Sequence, residues 1–124
     1  MRIFCFFFAG LLFAQQPPAP QGMDCHNRTL VLFVPGPNRD KEKDLIAAHL
    51  NYMGQQMKAG KNIVAGPFES GEGAAVVFAS DKWEEVETIL RDDPLTREGV
   101  IKVSGHNVWT ACQATGAHVS RAHP

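Results

Sequence analysis

The sequence predicts an α+β fold with the element order β-α-β-β-α-β, the ferredoxin-like arrangement in which both helices cover one face of an antiparallel sheet. Three observations predict it. Two runs, Leu30-Val31-Leu32-Phe33-Val34 and Ala75-Val76-Val77-Phe78-Ala79, have the β-branched and aromatic composition of strands. Two stretches place apolar residues at helical spacing. Glycine or proline punctuation separates one piece from the next.

Thr29 to Val34 reads as the first strand, stopped by Pro35-Gly36-Pro37. Asp40 to Ala59 follows as a helix. Its residues Ile46, Leu50, Met53 and Met57 share one face. Charges crowd its first turns, and Gly60 supplies the C-terminal stop. Lys61 to Ala65 is a short second strand ended by Gly66-Pro67, and Glu69 to Gly73 turns the chain into a third strand, Ala74 to Ala79. Asp81 with Glu84 has the capping-box pattern and opens a second helix, which carries Val86, Ile89 and Leu90 inward. That helix runs to about Arg91. Asp93-Pro94 ends it, because the residue before proline is driven out of the helical region. Val100 to Trp109 is the last strand, with Gly105 as a bulge.

This topology orders the strands 4-1-3-2. The two apolar runs do not alternate with polar residues, as a sheet wetted on one side would. Two helices cover one face only. A second copy's sheet is the simplest cover for the other, so the sequence predicts a homodimer packed sheet to sheet.

The ends read differently. Met1-Arg2 followed by the apolar run Ile3 to Phe13 has the pattern of an export signal, and the run is too short to span a bilayer, which needs roughly 20 residues. Leu12-Phe13-Ala14 before Gln15-Gln16-Pro17-Pro18 places the cut after Ala14. Cys5 has no small residues ahead of it, unlike a lipoprotein signal. The expected organisation is a signal peptide over 1–14, a flexible mature N-terminus over 15–28, the folded domain over 29–112, and a loose tail over 113–124. A secreted or periplasmic protein follows.

Charge excludes some partners. Twelve basic and 13 acidic side chains give a formal net charge of −1, and the two signs are interleaved. Nucleic acid would require a basic stripe, and no such stripe is present. An anionic membrane surface is excluded on the same ground.

Cys25 and Cys112 remain beyond the signal, and an oxidising compartment favours a disulfide between such a pair. In this topology the start of the first strand lies beside the end of the last, so both cysteines reach one corner of the sheet. The closed loop would contribute about 4–5 kcal/mol in the chain-entropy model. Free or metal-binding thiols are the alternative. His26, His118 and His123 stand in or near the terminal regions, but no Cys-x-x-Cys or His-Glu-x-x-His spacing occurs, so no metal is expected.

The candidate reactive pair is His49 with Asp93. His49 borders the apolar stripe of the first helix, and Asp93 lies in the loop leaving the second, fixed by Pro94. An aspartate beside an imidazole fixes its tautomer and stabilises the imidazolium, which makes a general base. From spacing alone the signal is weak, since a histidine on a helix flank is structural in most proteins. Tyr52, Ser70 and Arg97 are candidate substrate-binding residues: Tyr52 on the flank of His49, Ser70 in the hairpin turn, and Arg97 as a bidentate anchor for an anionic substrate.

Taken together, His49-Leu50-Asn51-Tyr52, Ala59-Gly60-Lys61, Ala65-Gly66-Pro67-Phe68, Asp93-Pro94-Leu95 and Val108-Trp109 resemble the YCII-related family, from about Thr29 to Trp109. The resemblance implies a dimeric α/β barrel of ferredoxin-like subunits and a pocket whose histidine and aspartate match His49 and Asp93. It also implies chemistry without metal or organic cofactor, which in a few relatives is dehydrochlorination or lactone chemistry on ring compounds. The sequence departs from the family in its export signal and in the short, glycine-rich turn Glu69-Ser70-Gly71-Glu72-Gly73. Three readings follow: a cofactor-free enzyme acting on a small organic molecule, a non-catalytic small-molecule binding module, or a structural homodimer.

Overall fold

The computed structural model describes residues 22–115. The expected export signal, the first half of the expected mature N-terminus (15–21) and the expected tail from 116 onward, with His118 and His123, lie outside them. The chain divides into two compact units. One, Cys25–Ala111, carries the helices and the candidate site. The other includes 22–24 and 112–115, where the Thr115 amide donates to the Gly22 carbonyl at 2.8 Å.

The elements are β1 (Met23–Pro35), a 3-10 turn (Arg39–Lys41), α1 (Glu42–Lys58), β2 (Asn62–Pro67), β3 (Ala74–Phe78), α2 (Trp83–Asp92), α3 (Pro94–Arg97) and β4 (Ile101–Ala114). The sheet runs β2-β3-β1-β4, the order expected for the ferredoxin-like arrangement. β3 pairs antiparallel with both neighbours. Thr29 lies opposite Phe78, Val31 opposite Val76 and Phe33 opposite Ala74. Side chains alternate along a strand, so these residues share the helix-covered face. Val31, Phe33, Val76 and Phe78 are buried there against Met53 of α1 and Val86 and Leu90 of α2. Each such burial stabilises the fold by roughly 1.5–3 kcal/mol.

The first and last strands are longer than expected. β1 starts at Met23 rather than Thr29, and β4 runs past Trp109 to Ala114. The segment expected to be flexible up to residue 28 is therefore strand from Met23 onward. Asp24, His26 and Asn27 show no apolar alternation, so periodicity does not mark them. A ladder needs only backbone partners, and here polar side chains add to it: Thr110 Oγ1 donates to Asn27 Oδ1 at 2.8 Å. Cys25 and Cys112 are both disulfide-bonded.

The pairing of β2 with β3 shifts register between Asn62 and Val64. In β4, Val103 packs against the core cluster, as does Trp83, whose indole stacks on the His106 ring at 3.6 Å and 5°.

The caps also differ in part. α1 ends in a Schellman motif: Gly60 at φ 73° lets its amide reach the Met57 carbonyl at 3.0 Å and the Lys61 amide reach that of Gln56 at 2.9 Å. At the start of α2 the expected capping box does not form. Lys82 occupies the N-cap with no side-chain bond, and Ser80 Oγ instead accepts from the Lys82 amide at 3.0 Å. A serine two residues ahead closes the turn before Asp81 can cap it. Among the described residues no helix is long and apolar enough to cross a membrane.

Candidate active site

Asp93-Pro94 builds one half of the site. Proline drives Asp93 to ψ 124°, which ends α2 and turns the chain, and then starts α3 at its first position. Asp93 becomes the N-cap of α3. Its Oδ2 accepts from the Thr96 amide at 3.2 Å and from Thr96 Oγ1 at 2.8 Å. That fixes the carboxylate and aims Oδ1 at α1.

There it meets His49. Nδ1 of the ring lies 2.6 Å from Asp93 Oδ1. The side chains are 19% and 2% exposed, so the carboxylate is buried and the ring reaches the surface of a cavity. Because Oδ2 accepts two bonds and Oδ1 faces a ring nitrogen, Nδ1 carries the proton and donates it to the ionised carboxylate. The lone pair of a neutral ring is then on Nε2, which has no hydrogen-bond partner among the described residues.

Tyr52, one turn along α1, makes a second tether: its hydroxyl donates to the Ile89 carbonyl at 2.6 Å. The phenol's pKa is raised above the ordinary value, by burial first and then by the charges of Asp92 and Asp93. It stays protonated and donates its hydrogen bond to backbone.

The cavity holds about 440 Å³, within the range of small-molecule sites. It exists because α1 faces small residues. The stripe Ile46, Leu50, Met53 and Met57 meets Ala65, Gly66, Gly73 and Ala74 of the β2–β3 hairpin. Helical spacing predicts this stripe as core. Met53 is buried, but Leu50 is 62% and Met57 42% exposed, because nothing large stands opposite to fill the gap. A missing Cβ here is structural as well: at Gly73, φ 124°, one would stand 2.1 Å from the Phe33 carbonyl oxygen.

Of the residues singled out from sequence, the fold brings His49 and Asp93 together on the cavity wall and leaves Tyr52, Ser70 and Arg97 off it. Ser70 Oγ accepts from the Glu72 amide within its own turn at 3.2 Å, and Arg97 is exposed beside Glu98 at 3.7 Å. The wall's arginine is instead Arg39, in the turn before α1. It was masked in the sequence by the acidic and basic residues around it, which read as an ordinary solvated helix start. Its one signal is position, ten residues before His49 on the same approach to the hairpin. Among the described residues no group of three or more His, Cys, Asp or Glu could hold a metal ion.

The α+β domain, of ferredoxin-like strand order, thus carries a histidine backed by a buried aspartate on the wall of an apolar cavity. The YCII-related domain model matches residues 25–106, and the chain belongs to that family. No curated protein matches it significantly. A solved structure, 5-chloro-2-hydroxyhydroquinone dehydrochlorinase from Burkholderia phenoliruptrix AC1100 in complex with 2,5-dihydroxybenzoquinone, is similar at a TM-score of 0.47 and 23% identity, over 65% of this chain and 90% of that one.

Proposed function

We propose that this protein is an enzyme of proton transfer, in which His49 Nε2 is the general base, and then the general acid, on a small and largely apolar organic molecule. The observation that carries this reading is the 2.6 Å contact between His49 Nδ1 and Asp93 Oδ1, with Asp93 buried behind the ring and tied down by Thr96. A buried carboxylate held behind Nδ1 fixes the ring's tautomer and leaves Nε2 to take a proton, the arrangement a general base requires. Such catalysis contributes about 10²–10⁴-fold. Removing a proton at one carbon and returning it, or expelling a leaving group from the next, covers isomerisation and elimination, with dehydrochlorination of ring compounds among the latter. His49 and Asp93 supply these steps from the protein's own side chains.

The same reading places the protein outside the cytoplasm, as its N-terminal sequence suggests, and working as a homodimer. The test is hydrogen exchange. Ring compounds with an acidic C–H are incubated in D2O with the wild type and with His49→Ala, and deuterium uptake is followed by NMR. Uptake above the buffer rate that disappears in His49→Ala is expected. Uptake unaffected by the substitution, or none across the set, would sink the reading.

A further inference from the structure

We propose that the substrate of this site is a monoanion, a one-ring compound whose carboxylate is held by Arg39 at the mouth of the cavity after displacing Glu72. The proposal rests on the reading of the cavity as the His49 site and adds the class of molecule that enters it.

Arg39 is the sole lysine or arginine lining the cavity among the described residues. Its guanidinium is already occupied in a telling way. Nη1 donates to Glu72 Oε1 at 3.2 Å and to Oε2 at 3.3 Å, and Nη2 donates to the Gly71 carbonyl at 3.3 Å. The chain's own carboxylate thus sits with both oxygens on one nitrogen of the guanidinium, short of the two-nitrogen fork a free carboxylate can make.

The occupant is easily exchanged. Every contact is at the long end of the hydrogen-bond range. The side chains are 51% and 62% exposed, and an ion pair in that setting contributes little to stability. Glu72 also lies between Gly71 at φ 76° and Gly73 at φ 124°, in a turn without bulk to hold it. A ligand carboxylate that buries its ring against Leu50, Met53 and Met57 gains apolar contact that Glu72 cannot supply.

The rest of the wall sets the limits. Glu42 is the other charged side chain at this end, and it repels a second negative charge on the ligand. His49 follows Glu42 by seven residues, about 10 Å of helix rise. Arg39 and His49 line one cavity, so a one-ring acid held by Arg39 places its ring in the space that His49 borders. Neutral ring compounds fit the same space without the anchor.

The full-length protein is titrated with benzoate and with benzamide, which match in size and differ in charge. Calorimetry gives affinity, and the His49 imidazole resonances report where the ring lies. Benzoate is expected to bind about tenfold tighter, as one charge-assisted contact implies. Arg39→Gln should erase that preference while benzamide affinity stays within about twofold, and Glu72→Gln should tighten benzoate by removing the competitor. Equal affinity for the two probes, a preference that survives Arg39→Gln, or no binding of either overturns the proposal. Probes that shift the His49 resonances without charge preference defeat the anion anchor alone. Binding that leaves His49 unmoved defeats the placement of the substrate at this base as well.

Discussion

Asp93 reaches His49 across 44 residues of sequence with an oxygen that accepts at 2.6 Å, while its second oxygen is held by Thr96. The two oxygens do different jobs. Oδ2 caps α3 and fixes the carboxylate in place, and Oδ1 sets which ring nitrogen carries the proton. Asp93→Asn keeps the shape and removes the charge. Activity should fall by roughly 10²-fold or more, the range assigned to general-base catalysis. The ¹⁵N shifts of His49 should show its tautomers mixing. Wild-type shifts in an inactive variant would detach the tautomer from the activity.

Thr96→Val tests the cap separately. The amide bond to Asp93 survives, but the 2.8 Å hydroxyl bond is lost. One hydrogen bond is worth about 1 kcal/mol net, so urea unfolding should shift by that amount, with Thr96→Ser restoring it. Activity should fall by less than in Asp93→Asn, since the charge remains. An equal loss in both would mean that position matters more than charge.

The part of this architecture legible in the sequence was the part set by local rules. Gly60 announced the end of α1 and Asp93-Pro94 the end of α2, because a left-handed glycine and a pre-proline residue constrain the backbone whatever surrounds them. Strand order followed from the element order. What stayed hidden depended on partners distant in sequence. The stripe on α1 read as core, and only the small residues across from it turn Leu50 and Met57 into a cavity wall. Arg97 and Arg39 are equally plain as residues. The difference is that Arg97 leads out of α3 into solvent beside Glu98, whereas the turn before α1 faces the β2–β3 hairpin. The polar ends of β1 and β4 carry no periodic signal at all.

Tyr52 gives a pH prediction with a defined sign. Its neutral form is favoured in the fold, so its folded pKa lies above the unfolded value. The stability it contributes is complete below a pH of about 10 and is lost as pH rises through the folded pKa. It is the sole tyrosine of the chain, so tyrosinate absorbance reports it directly. The folded protein should titrate at higher pH than the urea-unfolded protein. Tyr52→Phe should lose about 1 kcal/mol at neutral pH with its bond to Ile89, and should lack the wild type's added decline above pH 10. Turnover should stay within about twofold, because the hydroxyl is off the cavity. A large loss of activity would assign Tyr52 a role in placing His49.

The sheet face away from the helices supports the last prediction. Alternation puts Leu30, Leu32 and Val34 of β1 there, beside Val77 of β3 and Val64 of β2, which is paired with it. Leu32 and Val64 are exposed in the single chain. A stable interface buries about 1,600 Å² in total, and two such faces stacked together provide apolar area of the right kind. Leu32→Glu separates the consequences for a protomer from those for a pair. On an isolated chain the new carboxylate faces water and is tolerated. Between two sheets it buries a charge without a partner, and symmetry buries it twice. Sedimentation should therefore find the wild type dimeric at micromolar concentration and Leu32→Glu monomeric, with unchanged far-UV circular dichroism in both. A wild type that sediments as a monomer would remove the dimer and leave the His49 cavity, which is built within one chain, as it stands.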